Sequence, residues 1–186
     1  MIGLGATLFK AATRGRGFSP ASLFSNGEEG VWYDPSKLSS MKQLSNGTVD
    51  AVIGQPVGYI EDQSGNGNHA IQATLTKRPI LREAGGLNYL DFDGVDDGLS
   101  ITGLTSTSTP LTAWFGYSAD NAEAANKKFL LDIQSNRAVL AASADTAGNI
   151  GYFDGAWSEF AADSDALKVL TYDLVEDNAK IRVDGT

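Results

Sequence analysis

Turn dipeptides punctuate this chain and leave little room between them for anything except short strands. Asn66-Gly67, Asp93-Gly94, Gly148-Asn149, Asp154-Gly155 and Asp184-Gly185 each join a residue that tolerates positive φ to one that adopts it freely. Such pairs close tight hairpins. Between them lie the apolar runs Val57–Ile60, Leu87–Phe92, Leu99–Thr102, Leu111–Tyr117, Phe129–Ile133, Ala138–Ala142, Ile150–Phe153, Val169–Leu174 and Lys180–Val183. Short strands recurring about every ten residues predict an antiparallel sandwich. Helical periodicity nowhere persists beyond two turns, apart from the polar, alanine-rich Ala119–Lys127, which reads as a surface loop or short helix.

Alternation assigns faces to the longer runs. In Leu111–Tyr117 the odd positions Leu111, Ala113, Phe115 and Tyr117 share one side. In Leu167–Leu174 the even positions Lys168, Leu170, Tyr172 and Leu174 form the core side, because Asp173 on the other face is costly to bury. Trp32 and Trp114, both within apolar runs, are expected in the core. Towards the N-terminus, Val31-Trp32-Tyr33 is a short apolar run stopped by Asp34-Pro35, and Ser36–Met41 reads as one helical turn. Ser19-Pro20 suits the start of a brief turn over Ala21–Phe24, ended by Asn26-Gly27.

A length of 186 residues gives one domain with a real core, and the 21 glycines sit in turn contexts without a repeat. The absence of cysteine excludes disulfides, thiol catalysis and cysteine-held metals. A net charge of −9 argues against a nucleic-acid partner. No apolar run reaches the length of a membrane span, and the N-terminus lacks the pattern of an export signal. Charge is segregated, however. Residues 1–27 carry Lys10, Arg14 and Arg16 and no carboxylate, while the remainder is acidic. The organisation expected is an irregular arm over residues 1–29 followed by a β-domain over 30–186. The strand Ile181–Val183 and the turn at Asp184-Gly185 have no return strand, so the expectation is a sandwich lacking its last strands.

Four motifs follow one another in order: Trp32-Tyr33-Asp34-Pro35-Ser36, Asp62-Gln63-Ser64-Gly65-Asn66-Gly67-Asn68-His69-Ala70, Arg78-Pro79, and Phe92-Asp93-Gly94-Val95-Asp96-Asp97. Together they resemble the laminin-G-like, or concanavalin A-like, domains of bacterial surface proteins and phage structural proteins. The likeness runs from Gly30 to about Ser100. The opening arm through Phe18-Ser19-Pro20 is similar to phage and prophage versions in particular. The resemblance implies an all-β, antiparallel two-sheet jelly-roll sandwich and a structural or binding role more often than catalysis.

Read as chemistry alone, the second motif is a double turn. Gly65 and Gly67 adopt left-handed angles, while Asp62 and Asn68 hydrogen-bond loop amides. In the fourth motif, Phe92 and Val95 anchor a turn whose amides are held by Asp93, Asp96 and Asp97. His69 is the sole histidine, and a triad with Asp62 and a serine is conceivable, but no nucleophile-elbow sequence exists. Glycoside hydrolysis needs two carboxyls flanking a cleft. Glu28, Glu29, Glu61, Glu83, Glu123, Glu159 and Glu176 form no paired run of the kind used by glucanases of the implied fold.

Asp93, Asp96 and Asp97 are weak calcium candidates, since hard cations take oxygen ligands, and no other cofactor is expected. Aromatic rings stack on sugar faces, which makes Trp157 and Tyr152, with Asp154 beside them, weak candidates for glycan binding. The resulting expectation is a non-enzymatic virion protein, attached to capsid or tail as a decoration or fibre component and made in the bacterial cytoplasm. Its anchor to other virion proteins is Lys10, Arg14, Arg16 and Phe18, its oligomer a symmetric homo-oligomer, and its outer ligand a host-surface glycan. The alternatives are a carbohydrate-binding adhesion module of a bacterial surface protein and a glycoside hydrolase.

Overall fold

The computed structural model describes residues 18–104 and 111–118 and the strands between 128 and 183, with side chains described for 18–104 and 112–118. Lys10, Arg14, Arg16, Asp154 and the Ala119–Lys127 stretch lie outside the described residues. The chain divides into two compact units, one spanning Leu4–Thr105 and the other holding Ser106–Thr186. Strands dominate, every pairing among them is antiparallel, and no α-helix occurs among the described residues. The all-β expectation therefore holds.

In the first unit the chain enters through a 3-10 turn at Pro20–Phe24, where the ring of Pro20 fixes the first φ. Gly27, at φ +82°, closes it by donating to the Phe24 carbonyl at 3.3 Å. The short apolar run Val31–Tyr33 forms no strand. That segment instead hydrogen-bonds the Asp62–Asn68 loop, as described below. A second 3-10 turn, Leu38–Ser40, replaces the helical turn expected at Ser36–Met41.

Six short strands follow: β1 (Met41–Lys42), β2 (Tyr59–Ile60), β3 (Ala70–Ile71), β4 (Ile80–Ala84), β5 (Leu87–Asp91) and β6 (Ser100–Ile101). Four of them form a sheet in the order β1-β2-β3-β6, and β4 pairs with β5 in a hairpin. Gly85 and Gly86, both at positive φ, form its two-residue loop, the geometry that matches strand twist.

Alternation along the hairpin places Leu81 opposite Leu90, and both are fully buried. They join Met41, Val57, Ile60 and Ala70 in one core, with Tyr33, Ala51, Phe92, Leu99 and Ile101 packed against it. Each such aliphatic side chain stabilises the fold by about 1.5–3 kcal/mol on full burial.

The second unit holds β7 (Leu111–Tyr117), β8 (Lys128–Ile133), β9 (Ala138–Ala142), β10 (Asn149–Phe153), β11 (Trp157–Ala162), β12 (Lys168–Val175) and β13 (Asn178–Val183). The strands β8 to β11 form a consecutive four-stranded sheet, and β7 joins β12 and β13 in the order β13-β12-β7. Strand positions match the sequence expectation closely, except that β11, with the sequence WSEFAA, falls where no strand was expected.

Register confirms the predicted faces of β7 and β12. Phe115 pairs with Leu170 and Ala113 with Tyr172, whereas Trp114 pairs with Thr171 and Thr112 with Asp173. Phe115 and Tyr117 are buried; Thr112 and Trp114 are exposed.

Candidate functional site

The Asp62–His69 loop is built around one carboxylate. Asp62 is buried, and four donors converge on it. Its Oδ1 accepts the amides of Trp32 and Ser64, each at 2.9 Å, and its Oδ2 accepts the Ser64 hydroxyl at 2.7 Å and the Asn68 amide at 3.1 Å. Gly65 and Gly67 take φ of +93° and +76°, which lets the loop double back around that carboxylate.

Side chains of the loop then strap it to residues 28–33. Asn66 Nδ2 donates to the carbonyls of Glu28 and Gly30, both at 3.0 Å, and Asn68 Nδ2 donates to Gly30 at 3.2 Å. The Gln63 amide donates to the Trp32 carbonyl at 2.7 Å, and the Tyr33 hydroxyl donates to the Asn68 carbonyl. Burial, reinforced by the Asp62 charge, pushes the Tyr33 phenol well up. Asn68 was expected to hold loop amides, yet its amide group reaches across to Gly30 instead.

His69 does not meet the Asp62 carboxylate. Its Nδ1 accepts the Asp62 main-chain amide at 3.1 Å, and its ring lies tilted against Tyr59 with centroids 5.1 Å apart. In a catalytic triad a carboxylate holds the N–H of the imidazole, and the other ring nitrogen faces the nucleophile. Here an N–H from the backbone occupies the nitrogen that a carboxylate would need. Ser64 Oγ, the only serine of the loop, donates to Asp62 and accepts from the Asn66 amide at 3.2 Å. The three residues conceivable as a triad are thus brought into one loop in an arrangement that braces a turn.

The Asp93–Asp97 turn repeats the device at the surface. Asp93 Oδ1 accepts the amides of Val95, Asp96 and Asp97 at 2.8, 3.2 and 3.3 Å, and Asp97 Oδ2 accepts the Asp93 amide at 3.1 Å. The Val95 amide, helped by those of Asp97 and Asp96, holds the Asp93 carboxyl below the usual range. Burial pushes that of Asp97 up, and the neighbouring carboxylates add to the rise. One oxygen of each of Asp93, Asp96 and Asp97 lies within 4.8 Å of the others, so the calcium candidates do converge. Asp96, however, faces Lys77 at 3.4 Å instead of holding an amide. Val95 does not anchor the turn as expected: it is 85 % exposed, because the aspartates fix the loop without it.

The aromatic candidates separate. In the β10–β11 hairpin Phe153 pairs with Trp157 and Tyr152 with Ser158, so Tyr152 and Trp157 hold register positions on alternate faces. Trp114, expected in the core, is 56 % exposed. The signal was present: in an alternating strand whose odd positions face inward, residue 114 must face outward. Of the four anchor candidates, Phe18 is described and is 54 % exposed.

No family model, no curated protein and no solved structure matches the chain at a significant level. Among the described residues, no helix is long and apolar enough to cross a membrane.

Proposed function

We propose that this chain is a non-enzymatic structural protein of a phage particle, attached to capsid or tail, which displays a jelly-roll domain outward. The observation that carries the non-enzymatic half is the loop at Asp62. The chain's single histidine and the buried carboxylate of Asp62 are both engaged in holding main-chain amides. Antiparallel ladders, hairpin turns and self-satisfied aspartate loops suit a rigid display domain. The particle half rests on the basic segment containing Lys10, Arg14 and Arg16 ahead of an acidic body, and on the motif resemblance between Gly30 and Ser100. An arm and a body of opposite charge fit different partner surfaces.

The test compares the full chain with one lacking residues 1–27, each added to purified particles and sedimented. The full chain is expected in the particle fraction and the shortened one, still folded by circular dichroism, in the supernatant. Equal sedimentation of both contradicts an anchoring arm.

A second reading, a carbohydrate-binding adhesion module, is favoured by Trp114, a large aromatic exposed on a sheet face. The two readings are compatible if the displayed domain is itself the adhesive part.

A further inference from the structure

The geometry points to a sugar-binding platform on the β7-β12-β13 sheet, centred on Trp114 and suited to carboxylated pyranosides. This deepens the adhesion part of the proposed function but does not depend on particle attachment. Cross-strand register fixes which residues share the platform. Trp114 pairs with Thr171, and Thr171 with Arg182; Thr112 pairs with Asp173, and Asp173 with Lys180. Cross-strand partners share a face, so these two rows hold adjacent register positions on one face of the sheet, the face on which Trp114 is exposed. The opposite face is the apolar one, where Phe115 pairs with Leu170 and Leu170 with Val183.

Each feature of that surface answers to one property of a sugar acid. An exposed indole at 56 % accessibility offers a flat apolar ring on which the C–H face of a pyranose stacks. Gly116, the next residue of β7 on that face, contributes no side chain beside it. Threonine, at positions 112 and 171, supplies hydroxyl donors and acceptors of the kind sugar hydroxyls require.

Neighbouring strands lie about 4.8 Å apart, so the Trp114 and Arg182 positions are separated by about 10 Å, close to the span of a disaccharide. Arginine is the residue type that recognises a carboxylate in bidentate fashion. With Lys180 and Arg182 against Asp173 alone, these rows carry more positive than negative residues, in a chain whose net charge is −9. That local excess selects an acidic glycan over a neutral one and departs from the repulsion the rest of the surface exerts.

The test is titration calorimetry of the full chain with oligogalacturonate of three to five sugars and with cello-oligosaccharides of equal length. Saturable binding of the oligogalacturonate, weaker for the neutral oligomer, is expected. Trp114→Ala should lower affinity about tenfold or more, while Trp114→Phe keeps a stacking ring and retains most of it. Arg182→Gln should erase the preference for the acidic oligomer. Circular dichroism on each variant confirms the fold, which the exposed position of Trp114 leaves intact. The proposal is overturned by absence of saturable binding, by unchanged binding in Trp114→Ala, or by loss in Trp157→Ala alone. Particle sedimentation of the same variants separates failure of this site from failure of the particle reading.

Discussion

The main-chain amide of Asp62 donates to Nδ1 of His69 at 3.1 Å, while the Asp62 carboxylate turns away to collect four other donors. One residue thereby closes the loop in two directions. Removing the carboxylate strands buried amides of Trp32 and Asn68, and Asp62→Ala should destabilise by about 3 kcal/mol. His69→Ala leaves one amide without its acceptor and should lower stability by about 1–2 kcal/mol, whereas His69→Asn, which keeps an acceptor, should lower it less. Urea denaturation measures all three. Equal effects of the alanine and asparagine exchanges at position 69 would contradict the bracing role.

Arg78 is a second brace, and its guanidinium is the more demanding part. Buried, it donates to the carbonyls of Gln72, Gln43 and Ala73 at 2.8, 2.9 and 2.7 Å. Gly58 makes room for it: a Cβ there would sit 2.6 Å from the Gln43 carbonyl oxygen and 2.7 Å from Arg78 Nε. Gly58→Ala should therefore cost about 1–3 kcal/mol through overpacking. Arg78→Lys should cost about 2 kcal/mol, since one ammonium does not reproduce the planar fork. Both are read from the denaturation midpoint.

Opposite pH signatures are expected within the Asp93–Asp97 turn. The folded carboxyl of Asp93 is depressed, so its contribution is present above the ordinary carboxylate range and lost as pH falls through the lowered value. That of Asp97 is raised, so the folded state favours its protonated form, and its contribution is lost as pH rises through the raised value. At pH 7, Asp93→Asn should lower Tm and Asp97→Asn should leave it equal or higher. As pH falls below the lowered Asp93 value the two variants should converge on the parent. Thermal melts across that range check the crossing.

Calcium should change little. Asp93 Oδ1 already holds three amides, Asp97 Oδ2 a fourth, and Asp96 faces Lys77. Melting in millimolar calcium and in chelator should agree within about 1 °C, because only a ligand that binds the folded state raises its stability. A rise of several degrees in calcium, abolished by Asp96→Asn, would assign the turn to a metal instead.

Much of the fold was legible because strand and turn signals are local. The run Leu111–Tyr117 was read with its bounds and its buried face, since period-two alternation depends on neighbours alone. The positive φ of Gly65, Gly67 and Gly94 followed from their asparagine and serine contexts or from an aspartate before them. What failed depended on partners distant in sequence. Val31–Tyr33 read as a short apolar run, yet its hydrogen bonds go to a loop thirty residues on. Met41–Lys42 and Ala70–Ile71 are strands of two residues, too short for any periodicity to register. Trp114 was misplaced by its hydrophobicity although its position in the alternation gave the answer. Pairing across β10 and β11 likewise separated Tyr152 from Trp157, which proximity in sequence had grouped.

The most direct measurement of the central claim is immunogold labelling of purified particles, using antibody raised against residues 30–186. Regularly spaced label on capsid or tail, lost when the gene product lacks residues 1–27, is the result predicted. Unlabelled particles beside abundant free protein in the same lysate would contradict it.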